Sequence, residues 1–75
     1  VIIYPNPNKG NFFIDIQGVI SNNAKVEIFS IDGSLKYSCA IISNNQNIIF
    51  TQIPGMYLIK IYNNGKKYTE KIILQ

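Results

Sequence analysis

Seventy-five residues, 47% of them apolar and 15% charged, make one globular domain at most, and a chain this short buries only about 60% of the surface its unfolded form exposes. That leaves little room for a deep catalytic cavity, and with no histidine neither a Ser-His-Asp nor a Cys-His pairing nor an imidazole metal site can be built. Residues 56–75 set Lys60, Lys66, Lys67 and Lys71 against Glu70 and so hold the whole formal charge of +3, while Lys9, Lys25 and Lys36 balance Asp15, Glu27 and Asp32 in the rest.

The chain opens on Val1-Ile2-Ile3-Tyr4, one of its longest apolar runs and far below the roughly 18 residues of a membrane span. No charged segment leads into an apolar one as in a secretory signal peptide. A start on a hydrophobic strand without methionine leads us to expect one domain, residues 1–75, cut from a longer protein. Turn signals then recur at short intervals: Pro5-Asn6-Pro7-Asn8-Lys9-Gly10, Ser21-Asn22-Asn23, Asp32-Gly33, Ser43-Asn44-Asn45, Pro54-Gly55 and Asn63-Asn64-Gly65. They divide the chain into strands at about 1–4, 11–17, 24–31, 35–42, 47–52, 56–62 and 66–74. Abundant isoleucine, tyrosine and phenylalanine with almost no alanine favours strands, and the length leaves nothing over for a helix.

Within the second strand Phe12, Ile14 and Ile16 share one face and Asn11, Asp15 and Gln17 the other. In the third, Ile28 and Phe29 are adjacent and both apolar, which predicts a bulge or burial on both faces. Asp32-Gly33 and Asn64-Gly65 suit type I′ turns, so strands three and four, and six and seven, are expected to be antiparallel neighbours. In strand six Tyr57, Ile59 and Ile61 point one way and Lys60 and Tyr62 the other; in strand seven Ile72, Ile73 and Leu74 cannot all face inward. The expected fold is a small seven-stranded antiparallel β-sandwich, immunoglobulin-like, with sixteen isoleucines and nine aromatics to fill its core. The lone Cys39 permits no internal disulfide and says little about redox compartment.

Few constellations carry chemistry. Asp15 and Glu27 are the one carboxylate pair on strand positions that could face each other, but each sits where an alternating strand places solvated charge. Asp32 is one carboxylate where calcium sites gather several, and its turn explains it better. The basic last hairpin with Tyr57, Tyr62 and Tyr68 has the composition of a single-strand nucleic-acid surface. Against it, Tyr57 falls on the core face and the chain has no arginine. No enzyme, cofactor, metal, nucleic-acid partner or small-molecule substrate is therefore expected. Exposed aromatics on a sandwich also stack on sugars, so a carbohydrate-binding or adhesion module is the alternative, weakened by the lack of tryptophan.

Several segments resemble one family in order and spacing over nearly the whole chain. Pro5-Asn6-Pro7-Asn8-Lys9-Gly10 is similar to the PNP-x-x-G signature opening the type A C-terminal sorting domain of type 9 secretion system cargo in the Bacteroidetes. Val26–Gly33 resembles its third strand and glycine turn. Ile53–Ile61, with Gly55 and Tyr57, resembles its L-x-x-G-x-Y motif, with isoleucine in place of the usual leucine. Gly65, Lys71 and Ile72-Ile73-Leu74-Gln75 resemble its closing glycine, lysine and apolar tail, and make Gln75 the expected natural C-terminus. The resemblance implies a folded, non-catalytic address whose partners are the secretion machinery, its outer-membrane shuttle and sortase, and a cargo domain in the same chain. It also implies a secreted protein, periplasmic in transit and then at the cell surface or outside. Lys71 and the tail are the expected contacts; Gly55, Gly65, Pro5 and Pro7 are expected to shape turns, and Tyr57 to pack.

Overall fold

The computed structural model describes residues 1–75. Alternating apolar positions form seven strands: β1 (Ile2–Tyr4), β2 (Asn11–Asp15), β3 (Lys25–Ser30), β4 (Leu35–Ala40), β5 (Asn45–Ile49), β6 (Gly55–Asn63) and β7 (Lys66–Leu74). All pair antiparallel, in one sheet of order β1-β2-β5 and a second of order β4-β3-β6-β7. No residue is helical. The inner faces contribute Ile3, Phe12, Ile14 and Ile48 from the smaller sheet and Val26, Ile28, Tyr57, Ile59, Ile61, Ile72 and Leu74 from the larger, all within one buried cluster. In the constant-type immunoglobulin arrangement the fourth strand lies with the first, second and fifth; here β4 pairs with β3 in the larger sheet. What holds of the expected fold is the seven-stranded antiparallel sandwich, divided three and four.

Two local expectations are corrected. β5 runs from Asn45 to Ile49, two residues earlier than expected, because the polar stretch Asn45-Gln46-Asn47 pairs with Phe13–Asp15 on the edge of the smaller sheet. There Gln46 satisfies backbone of the preceding connection, donating to Ala40 O at 2.9 Å and accepting from Ile42 N at 2.8 Å. The bulge lies on β4, not on β3. Ile28 pairs with Tyr37 and Phe29 with Leu35, so Lys36 is the extra residue while β3 runs in unbroken register against β6. Phe29 then faces outward, half-buried beneath Lys60, whose Nζ lies 4.9 Å from its ring centroid.

The two glycine turns also differ. Asn64 and Gly65 both take positive φ, 53° and 73°, as a type I′ turn requires. At Asp32-Gly33 only the glycine does, at 91°. The Gly33 amide donates to Ser30 O at 3.0 Å and the Ser30 amide to Ser34 O at 2.9 Å, which makes a three-residue loop closed by a left-handed glycine. Asp32 supports it: its Oδ1 accepts from the Ser30 hydroxyl and, at 3.1 Å, from the Ser34 amide. These bonds, the Ser30 hydroxyl first, hold the carboxyl down to about 2 from the ordinary 3.8. A lowered carboxyl value stabilises the folded state above about pH 4 and the contribution disappears as the pH falls toward the folded-state value. Asp32→Asn is therefore expected to melt below the parent near neutrality and to converge on it between about pH 4 and 2. A melting difference that stays constant over this range would count against the turn as its source.

Candidate functional site

The longest strands in the chain, β6 and β7, pair over nine residues from Gly55–Leu74 to Asn63–Lys66. Alternation sends Ile72 and Leu74 inward, 1% and 5% exposed, and Lys71 and Ile73 outward, Ile73 at 43%. At the head of β6, Tyr57 is buried, its ring meeting Phe50 edge-on at 4.9 Å, and its hydroxyl donates to Ile53 O at 2.5 Å. That bond ties the strand to the corner before it, as tyrosine does in other β-sandwiches. Side chains added at Gly55 or Gly65 would meet nothing within 4 Å.

The Pro5–Gly10 loop is more than a turn. Tyr4-Pro5 and Asn6-Pro7 are cis, and the loop lies along the free edge of β7, making a parallel bridge from Asn8 to Leu74. The Asn8 amide donates to Ile73 O at 3.0 Å and the Gln75 amide to Asn8 O at 2.7 Å. The Asn6 side chain bonds the same edge, Nδ2 donating to Lys71 O at 2.9 Å and Oδ1 accepting from Ile73 N at 3.0 Å. Asn6 Nδ2 also reaches Glu70 Oε2 at 3.3 Å, while Tyr68 donates to Glu70 Oε1 at 2.6 Å. The phenol's value is raised, first by that bond to a carboxylate and then by desolvation. Asn8, the one buried polar residue of the chain, folds the loop onto itself: its Oδ1 accepts from Gly10 N at 2.8 Å and its Nδ2 donates to Pro5 O at 3.1 Å. Asn8 two positions before a glycine is legible as an Asx turn. Nothing in a single sequence shows that Asn6 reaches residues 64 to 67 positions away.

The remaining constellations separate. Asp15 and Glu27 stand on different sheets, each alternating with buried residues, so the carboxylate pair does not form. Tyr57 is core, Tyr62 lies on the outer face of the larger sheet and Tyr68 on the inner side of β7, so the three tyrosines share no stacking surface. Lys25, Lys60, Lys67 and Lys71 do share one: the register places them on the outer face of the larger sheet with Tyr62, Phe29 and Leu58.

A search of the curated proteins found no match. The model of the secretion system C-terminal sorting domain matches residues 2–75, a span that takes in the Pro5–Gly10 loop, the Gly55–Tyr57 corner and the whole of β7. A match over nearly the entire chain, on the segments that the fold brings together, assigns it: the chain belongs to the Por secretion system C-terminal sorting domains, the non-catalytic sorting domains of secreted type 9 secretion system cargo.

Proposed function

We propose that the folded domain is read in the periplasm as a rigid address, and that Lys71 and Ile73 are its contacts on β7. The observation that carries this reading is their side-by-side exposure on a strand whose inward residues, Ile72 and Leu74, are locked in the core and whose free edge is held by Asn6 and Asn8. Ile72 and Leu74 act through packing, Gly55 and Gly65 through the turns, and Tyr57 through the corner. On this reading the chain is the C-terminal part of a longer cargo that crosses the inner membrane by its own signal peptide. An outer-membrane shuttle then takes up the domain, and a sortase cuts upstream of it, leaving the cargo on anionic lipopolysaccharide at the surface or in the medium.

Fused behind an inert periplasmic reporter in a bacterium that has this system, the 75-residue chain is expected to carry the reporter to the surface or medium. Lys71→Ala removes an exposed side chain and is expected to cost well under about 1 kcal/mol of stability, yet to lower export. Equal export from a variant that melts like the parent removes Lys71 from the contact surface. A parent fusion that stays in the periplasm of a competent strain sinks the address reading.

A further inference from the structure

We propose that the export machinery docks on the outer face of the four-stranded sheet, and that the docking partner is a protein surface with an apolar centre and a rim of carboxylates. The proposal rests on the address reading above and specifies which surface is read and what reads it.

Three observations converge on this face. The first is its apolar content. The cross-strand row Leu35–Phe29–Leu58 lies beside the pair Met56–Ile73, all on outward positions. Met56 and Ile73, 45% and 43% exposed, are direct cross-strand partners at the end of the sheet where β7 finishes, and Leu35, 52% exposed, closes the row at the opposite edge, beyond Phe29. Isolated exposed apolar side chains need no explanation, but a contiguous set on a flat sheet does. Methionine and aromatic residues at the centre with charge at the margin is the anatomy of a protein–protein interface.

The second is charge. Lys60 and Lys71 border the apolar row, and Lys25 and Lys67 flank Tyr62 farther along the same face, Lys25 with its Nζ 5.0 Å from the Tyr62 ring centroid. Glu27 is the face's one carboxylate, and it is engaged by Lys25 at 3.7 Å. The face is thus cationic around an apolar centre, and complementarity calls for carboxylates around an apolar centre opposite. A second copy of the chain does not offer them. The other outer face, with Ile2, Tyr4, Phe13 and Ile49, carries Asp15 as its only charged side chain.

The third is the closed edge. Strand addition is the common way to read an exposed terminal strand. Here Lys71 O, Ile73 N, Ile73 O and Gln75 N on the free side of β7 are already taken by Asn6 and Asn8. A partner at this end of the strand meets side chains, not backbone.

The test compares reporter fusions of the intact chain. Met56→Asn with Ile73→Asn removes exposed apolar side chains of the centre, and Lys67→Glu with Lys71→Glu reverses two exposed charges of the face. Ile2→Asn with Ile49→Asn makes the same kind of change on the opposite face. Each pair on the docking face is expected to lower export about tenfold, and the control pair to leave it unchanged. A photoreactive residue at position 73 is expected to cross-link to an export component of the outer membrane, identified by mass spectrometry, and one at position 49 is not.

If the apolar pair lowers the melting temperature, the lysine pair decides, since both lysines are exposed. Parent-level export from the folded face variants overturns the docking surface and leaves the address reading standing; a periplasmic parent fusion overturns both. Cross-linking at position 73 to a second copy of the chain overturns the proposal, as does the absence of any cross-link. Binding of the purified chain to vesicles containing phosphatidylglycerol, lost in the Lys67→Glu, Lys71→Glu variant, transfers the face to an anionic lipid surface and likewise overturns a protein partner.

Discussion

Gly10→Ala is expected to cost about 3 kcal/mol or more, a large share of the roughly 4–11 kcal/mol available to a domain of this size. Two effects combine at this position. Gly10 has a φ of 104°, which L side chains rarely adopt, and its Cβ would lie 2.6 Å from the Phe50 carbonyl oxygen. The obstacle is backbone, so no side-chain rotation relieves it. Nor can the strands part freely, because the Phe50 amide donates to Gly10 O at 2.6 Å and Phe50 packs against Tyr57 in the core. Gly33→Ala is the control, since Gly33 has a similar φ of 91° but nothing within 4 Å; its cost is the backbone strain alone, on the order of 1 kcal/mol. Urea denaturation of the two variants separates the terms. Equal losses would mean that the close approach to Phe50 contributes nothing.

Removing Lys71–Gln75 is expected to unfold the domain and, with it, to abolish export. Ile72 and Leu74 are 1% and 5% exposed, and each contributes about 1.5–3 kcal/mol by burial. The truncation also strips Gly55–Leu58 of their β7 partners and leaves Asn6 and Asn8 without the backbone that they hold. Loss of export after this truncation therefore reports on folding as much as on recognition. Asn8→Ala makes the same point from the other end of the chain. It deletes two side-chain bonds at a buried site and is expected to cost about 1–3 kcal/mol, lowering melting temperature and export together. Lys71→Ala is expected to separate the two readouts. Circular dichroism melts of the purified domains beside the export assay check both variants, and a normal melt for Asn8→Ala would remove the loop from the stability of β7.

Strand number, hairpin pairing and the split of the β7 tail between two faces were legible in the sequence because they depend on local chemistry. A period of two sorts side chains between faces, and Asn64-Gly65 supplies the positive φ angles of a tight turn. That Ile72, Ile73 and Leu74 cannot all face inward follows from alternation; that Ile73 is the outward one, with Ile72 and Leu74 in the core, was decided by the pairing of β7 with β6. The family was legible too, since its motifs lie in order along the chain and the match covers residues 2–75. Local chemistry misplaced what depends on partners. Asn45-Gln46 reads as the end of a turn but opens the edge strand β5, because β2 offers it hydrogen bonds and solvent accepts its polar side chains. The apolar pair Ile28-Phe29 reads as a bulge in β3 or a strand buried on both faces, but β3 is held in register by β6, so the extra residue falls on the edge strand β4, at Lys36, and Phe29 is half-buried on the outer face. The apposition of Pro5–Gly10 with the end of β7 was decided only by tertiary structure. Contacts between residues 6 and 73 are set by how two sheets stack, and that stacking turns a proline-rich turn into the clamp on the last strand.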